Sequence, residues 1–212
     1  MITRNEAARI GDASLPPPLF GLVLVGGRSS RMNRDKALLK VDGKTQLQRT
    51  YDLVVRHCEN TFISCRRDQA EQDGYGGFPQ IFDGCGDIGP MGGILSALRT
   101  CPGAAWLAVA CDLPRLDLPT ISHLIINRNP EKIATVYISS RDGMPEPLCA
   151  IYEPASEAAL LSALKANIQC PRKALIRSQD NVEPLGLLNP KALDNANTPA
   201  EFDQITRKPA QE

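Results

Sequence analysis

Short apolar runs alternate with stretches of helical periodicity along this chain, and that alternation constrains the fold more than any other feature. Phe20–Val25, Thr61–Cys65, Gln80–Phe82, Ala105–Ala110, Ala134–Ile138 and Pro147–Tyr152 read as strands. Between them, Gln46–His57 places Leu47, Tyr51, Val54 and Val55 on one helical face, and Met91–Leu98, Pro119–Ile126 and Pro154–Ala166 also read as helices. The run AWLAVA (Ala105–Ala110) has no polar residue, so both of its faces must be covered. Strands alternating with helices predict an α/β fold with three layers and a mostly parallel, Rossmann-like sheet. No repeat or linker divides the sequence. We expect one domain over residues 19–207, a disordered extension over 1–18 that ends in Pro16-Pro17-Pro18, and a short tail over 208–212.

Charge narrows the function classes. Of the 212 residues, 24 are Lys or Arg and 24 are Asp or Glu, so no global field draws the chain to nucleic acid or to an anionic membrane. No apolar run has the length of a bilayer span and no signal-peptide core is seen near Met1, which predicts a cytoplasmic protein. The 7 cysteines lack a Cys-x-x-Cys pair and are odd in number, so they read as reduced thiols, several of them in apolar stretches. With only His57 and His123, a zinc site or a histidine-based triad is poorly supplied.

In an open parallel sheet, ligands sit beyond the carboxyl ends of the strands. The residues that follow each predicted strand are GGRSSRMNRDK after the first, Arg66-Arg67 after TFISC, Asp83 with DGCGDIGPMGG after QIF, and Cys111-Asp112-Leu113-Pro114 after AWLAVA. Taken singly, Gly26-Gly27 could be a simple turn, the arginines solvated, Lys36 a stem against Leu38 and Leu39, and either aspartate a cap. Taken together, they place glycine-rich loops, cations and two carboxylates on one edge. Glycines let a backbone approach phosphate oxygens, cations neutralise them, and a carboxylate offers a hard oxygen to a divalent metal. These are parts for a nucleoside triphosphate with magnesium. Neither the Walker loop nor the G-x-G-x-x-G fingerprint is present, which disfavours a P-loop kinase or a dinucleotide dehydrogenase.

The stretch LVGGRSSRMNRDKALL, from Leu24 to Leu39, resembles the LAGG-x-x-x-RMG-x-DK-x-L signature of the nucleotidyltransferases that attach a nucleotide to molybdopterin. The similarity continues through IFD (Ile81–Asp83), GPMGGILSAL (Gly89–Leu98), CDLP (Cys111–Pro114), EPLCAIY (Glu146–Tyr152) and DNANTPAEF (Asp194–Phe202). Within that family it is closest in pattern to the molybdenum cofactor guanylyltransferases. The resemblance implies a fold of the nucleotide-diphospho-sugar transferase type, and transfer of GMP from GTP to the terminal phosphate of molybdopterin with Mg²⁺ and release of pyrophosphate. It implies that Leu24, Val25, Gly26, Gly27, Lys36, Ser64, Asp83 and Asp112 bind the nucleotide, with Asp112 also holding the metal. Lys36, Asp112 and Arg31 would carry the catalysis. Arg31, Gly89, Gly93, Arg172, Asn195 and Asn197 would face the acceptor. It further implies transient contacts with other cofactor-biosynthesis proteins or with molybdoenzymes.

Three positions depart from the family pattern: Val25 stands for alanine, Asn33 for the glycine after RM, and Ser64 for an asparagine after the second strand. Gly26-Gly27 matches the guanylyl branch, whereas cytidylyl enzymes favour LAAG. A cytidylyltransferase and a non-catalytic nucleotide-binding module are the alternative readings, the second opposed by retention of Lys36, Asp83 and Asp112.

Overall fold

The structure is a computed structural model, and it describes residues 15–25, 36–41, 43–70, 74–86 and 88–196. Strand β1 (Leu19–Leu24) is followed by a 3-10 turn at Lys36–Leu38 and by a small antiparallel hairpin, β2 (Lys40–Val41) and β3 (Lys44–Thr45). Helix α1 (Gln46–Val54) starts where the Thr45 side chain accepts a hydrogen bond from Gln48 N at 3.1 Å, relieving one orphan N–H of the first turn. The chain continues through β4 (Thr61–Cys65), β5 (Gln80–Phe82), α2 (Pro90–Thr100) and β6 (Ala105–Ala110). Then come α3 (Leu118–Ile126), capped by Asp117 on Thr120 N at 3.0 Å, and β7 (Ala134–Ile138). Last are β8 (Pro145–Tyr152), α4 (Ser156–Lys165), α5 (Pro171–Arg177) and β9 (Val182–Gly186).

The 7-stranded sheet has the order β5-β4-β1-β6-β8-β7-β9. All neighbours in β5-β4-β1-β6 are parallel, β8 is antiparallel to both β6 and β7, and β9 runs parallel to β7. Every strand but β8 therefore points the same way. The expected three-layer, mostly parallel architecture is what the chain adopts. Alternation along the strands divides the core: Val23, Leu107 and Val109 pack with Leu47, Val54, Ile121 and Leu124 of α1 and α3. Leu22, Leu24, Trp106 and Ala108 face the other way, onto Met91, Ile94, Leu95, Leu160 and Leu175 of α2, α4 and α5.

The strand and helix positions read from the sequence match closely, with three additions. The β2–β3 hairpin, α5 and β9 were not expected. β9 contains Pro184, which lacks an N–H and is tolerated because β9 is an edge strand. All cysteines are free thiols, and burial pushes Cys149 up to about 12, where it is inert at neutral pH. His57 lies within hydrogen-bond distance of Ser122, and His123 of the Tyr137 hydroxyl, so both histidines have structural partners. Among the described residues no helix is long and apolar enough to cross a membrane.

The end of α3 is fastened to the end of β8 by a bidentate ion pair, Arg128 Nε and Nη2 to the Glu153 carboxylate at 2.6 and 2.8 Å. Glu153 is 1% exposed. Removing one partner strands the other charge in the interior, so Arg128→Ala should lower unfolding free energy by about 3–5 kcal/mol in urea denaturation. The exposed Lys44–Asp52 pair should contribute less than about 1 kcal/mol in the same measurement. Equal losses at the two pairs would contradict this account.

Candidate active site

The chain leaves β1 towards β4 and β5 on one side and returns to β6 on the other, so the strand order reverses at β1. In an open sheet of this kind, a reversal of strand order marks a crevice at the carboxyl ends of the strands. Hydrogen bonds tie the first residues past the strands into a row. Asp83 N donates to Cys65 O at 3.1 Å, Val25 N to Ser64 O at 3.2 Å, and Cys111 N to Leu24 O at 3.2 Å. Four expected site residues (Leu24, Val25, Ser64 and Asp83) thus lie in this row by backbone geometry, and Asp112 is the next residue after Cys111.

Side chains divide these residues by role. Val25 is 4% exposed and packs in the core on the α1 and α3 face, so its bulk relative to alanine is absorbed by the core. Ser64 is buried, with its hydroxyl against Gly93 of α2. A Cβ at Gly93 would collide with Ser64 Oγ and stand 3.0 Å from Leu24 Cδ2, and one at Gly92 would stand 2.6 Å from Asp83 Oδ2. The first turn of α2 therefore touches the strand ends only because it carries glycines. The Asp83 carboxylate lies against this turn, where the helix dipole favours an anion, and its Oδ1 also accepts from Cys85 N at 3.2 Å. Gly89 caps α2 at φ 64°, a left-handed conformation that suits glycine, and Pro90 opens the helix behind it.

Asp112 is half-buried at the head of the loop after β6. Burial pushes its carboxyl above the usual carboxylate range, and the positive charge of Lys36 pulls it back down. The charge of Lys36, from the 3-10 turn after β1, thus acts on Asp112, from the loop after β6, across the switch point. The C-terminal segment crosses the same loop, with Ala196 N donating to Asp112 O at 3.2 Å. Arg49 of α1 reaches the loop from below and donates from Nη2 to Pro114 O at 3.4 Å, a contact the sequence reading missed.

On the β8 side of the crevice lies a pocket of ≈ 390 Å³ with apolar walls from Pro90, Leu113, Pro147 and Leu148. A polar pocket of ≈ 280 Å³ adjoins it, and the two share Glu146, Arg172, Leu193 and Asn195. Arg172 and Asn195, expected at the acceptor, are thus brought together. Arg172 is not an open cation, however: Nη1 donates to Asp142 Oδ2 at 2.9 Å and Nη2 to Glu146 Oε2 at 2.7 Å. The sequence reading assigned no role to Glu146 or Asp142, although Glu146 begins the quoted EPLCAIY. Gly26, Gly27, Arg31, Asn33 and Asn197 lie outside the described residues.

Among the described residues, no group of three or more His, Cys, Asp or Glu side chains could hold a metal alone. Magnesium commonly binds through one or two carboxylates and the substrate's own phosphates, and a single Asp112 fits that pattern.

The profile of the MobA-like NTP transferase domain matches residues 21–182, which takes in the switch point, Lys36, Asp83, Asp112 and Arg172. The chain belongs to this family. A molybdenum cofactor biosynthesis bifunctional protein from Synechocystis is 36% identical over 189 residues, 89% of this chain and 54% of that protein. The chain thus spans about half the length of that relative. A probable molybdenum cofactor guanylyltransferase from Trichormus variabilis is 28% identical, with 91% of this chain and 96% of that protein covered. A molybdenum cofactor guanylyltransferase from Shewanella putrefaciens is 27% identical, with coverages of 90% and 97%. The molybdopterin-guanine dinucleotide biosynthesis protein A from Archaeoglobus fulgidus superposes with a TM-score of 0.69 at 24% identity, over 87% of this chain and 95% of that one. A 2-C-methyl-D-erythritol 4-phosphate cytidylyltransferase from Thermus thermophilus gives 0.65 at 13% identity, over 87% and 96%. These two likenesses establish the shared fold, that of the nucleotide-diphospho-sugar transferases.

Two measurements follow from this geometry. Gly93→Ala should destabilise the protein by about 1–3 kcal/mol through overpacking, and Ser64→Ala in the same chain should recover part of the loss. Additive effects at the two positions would show that the helix does not rest on Ser64. Second, ionising Asp112 costs stability in the nucleotide-free chain, because its folded pKa lies above its unfolded value. Asp112→Asn should therefore stabilise the protein at neutral pH. The gain should shrink as pH falls through the raised folded pKa and vanish below the ordinary carboxylate value. A gain independent of pH would refute the assigned burial.

Proposed function

We propose that this family member transfers GMP from GTP to the terminal phosphate of molybdopterin and releases pyrophosphate. The observation that carries the reading is the placement of Asp112 at the strand ends of the β1–β6 switch point, within the electrostatic reach of Lys36, with an apolar pocket beginning at Leu113 beside it. The names of the relatives supply the substrate class, and Gly26-Gly27 favours GTP over CTP.

In this reaction an acceptor phosphate oxygen attacks the α-phosphorus of GTP, a new P–O bond forms, and the bond to the bridging oxygen of pyrophosphate breaks. The acceptor is an anion near neutral pH, so no side chain needs to remove a proton. The protein's work is to align two anions and to hold cationic and dipolar groups where charge develops. Lys36 places an ammonium at the phosphates. Asp83 fixes the nucleotide from the β5 side, supported by the first turn of α2. Asp112 would hold Mg²⁺, which when bound neutralises phosphate oxygens. Leu24 and Val25 offer backbone groups beside the nucleotide, and Gly26, Gly27 and Arg31 are assigned to the same substrates from the sequence motif. Gly89, Gly93, Arg172, Asn195 and Asn197 border the acceptor. The site needs no covalent nucleophile.

The test is pyrophosphate release with Mg²⁺ and molybdenum-loaded molybdopterin, comparing GTP, CTP and ATP. Turnover with GTP alone is expected. Turnover with CTP alone would move the chain to the cytidylyl activity, and silence with all three beside an active family enzyme would overturn the reading. Asp112→Ala should lower kcat/KM by on the order of 10²–10³-fold, or about 3–4 kcal/mol of transition-state stabilisation. Unchanged turnover at saturating magnesium would remove Asp112 from the metal site.

A further inference from the structure

We propose that Glu146, held in place by Arg172, recognises the 2-amino-4-oxo edge of the acceptor's heterocycle, and that Arg172 is a positioning residue and not a phosphate ligand. The inference deepens the proposed function and rests on its choice of a pterin-containing acceptor.

The argument begins with strand direction. β8 is antiparallel to β6, pairing Val109 with Cys149, so its first residues run past the end of β6 to the ligand edge. Glu146 stands there, where the apolar and polar pockets join, and borders both. Its Oε2 accepts from Arg172 Nη2 at 2.7 Å, and among the described residues its carboxylate has no other side-chain partner. Oε1 is left for a ligand. The other arm of the guanidinium is taken by Asp142 at 2.9 Å, and Asp142 Oδ1 accepts from Met144 N at 3.1 Å. The planar Arg172 fork is thus fixed between two carboxylates. Its charge is more than balanced by the pair, which suits it poorly to bind a phosphate and well to lock one carboxylate rotamer.

The ligand chemistry follows from what lines the pocket that Glu146 borders. Leu113, Leu148, Pro147 and Pro90 supply its apolar walls. A neutral planar ring that presents N–H donors at one edge satisfies both features. A 2-aminopyrimidin-4-one edge carries two adjacent donors, N3–H and the 2-amino group, that point at an acceptor in one plane. The Asn195 side chain, bordering both pockets, has the donor and acceptor needed beside the 4-oxo group. Phosphate at this end would meet two carboxylates. The acceptor's phosphate must then point the other way, towards Lys36 and Asp112.

The experiment compares 6-hydroxymethylpterin with 6-hydroxymethyllumazine, whose 2-amino group is replaced by a carbonyl oxygen, by fluorescence titration of the full chain. The native protein should prefer the pterin by about tenfold or more, since a site built around a hydrogen bond rejects the analogue that lacks the donor. Glu146→Gln should reduce that preference to near unity and leave the GTP dissociation constant unmoved. Arg172→Met should lower the preference partially and raise KM for molybdopterin while changing kcat little, because the carboxylate remains but is unmoored. Equal binding of the two heterocycles by the native protein, binding of neither at millimolar concentration, or a preference that survives Glu146→Gln would each overturn the inference. Failure of the reaction itself reads separately. A Glu146-dependent preference without pyrophosphate release upholds the pocket assignment and sinks the GMP-transfer reading, while GMP transfer with a Glu146-independent preference does the reverse.

Discussion

The hydrogen bond from Cys111 N to the Leu24 carbonyl is the constraint on which the rest of the site depends. It extends the β1–β6 ladder one residue past the strands and makes the two diverging loops start level. Register here is set by volume, because both faces of the sheet are covered. Trp106 and Leu22 fill the α2 side, while Leu107 and Val23 fill the α1 side. A slip of one residue would exchange the two faces and drive the indole into a space shaped for smaller side chains. It would also turn Asp112 away from Lys36. The placement of Asp112 at the strand ends is therefore a consequence of core packing several residues below it.

The helix α2 adds the second constraint. Its first turn can rest on β1, β4 and β5 only with Gly92 and Gly93 in place, and helix-interior glycines cost roughly 0.5–1 kcal/mol each relative to alanine. The surrounding core offsets that cost: Met91, Ile94, Leu95 and Leu98 are all buried against the sheet. In return, the first turn of the helix comes into close contact with the Asp83 carboxylate. The glycines of GPMGG serve close packing of helix on sheet, while Gly89 just ahead of them serves the backbone turn.

Much of this was legible in the sequence, for a physical reason. Strands buried on both faces announce themselves as continuous apolar runs, and Thr61–Cys65, Gln80–Phe82, Ala105–Ala110 and Ala134–Ile138 lie where those runs lie. Asp83 and Asp112 were legible as edge residues because they follow strands almost directly, whereas Lys36 was picked out by the motif that follows β1. The missed elements carry weaker local signals. β9 is an edge strand with polar and proline residues, and α5 is a single short helix opened by Pro171. The role of Arg172 was beyond local reading, since its partners lie 26 and 30 positions away and face it only because β8 runs against its neighbours. Val25 shows the converse. The sequence marked it as a departure near the nucleotide, but strand alternation sends its side chain into the core.

The two halves of the crevice differ in electrostatics, and in the proposed reaction the difference would orient the substrates. On the β8 side, Arg172 is compensated by Asp142 and Glu146, and Arg115 and Arg141 both lean on Asp194, so the basic side chains there are paired with acidic ones. On the β1 side, the sequence sets Arg28, Arg31, Arg34 and Lys36 within nine residues, and the charge of Lys36 acts on the partly desolvated Asp112. In the proposed reaction, a doubly charged phosphate would be drawn towards Lys36 and repelled by the carboxylates of the β8 side. Any acceptor that pairs a phosphate with a neutral ring must therefore enter with its phosphate towards β1. In the proposed reaction, that polarity would direct the nucleophilic oxygen to the α-phosphorus without a dedicated base, because the acceptor phosphate is already an anion and needs only orientation and charge compensation.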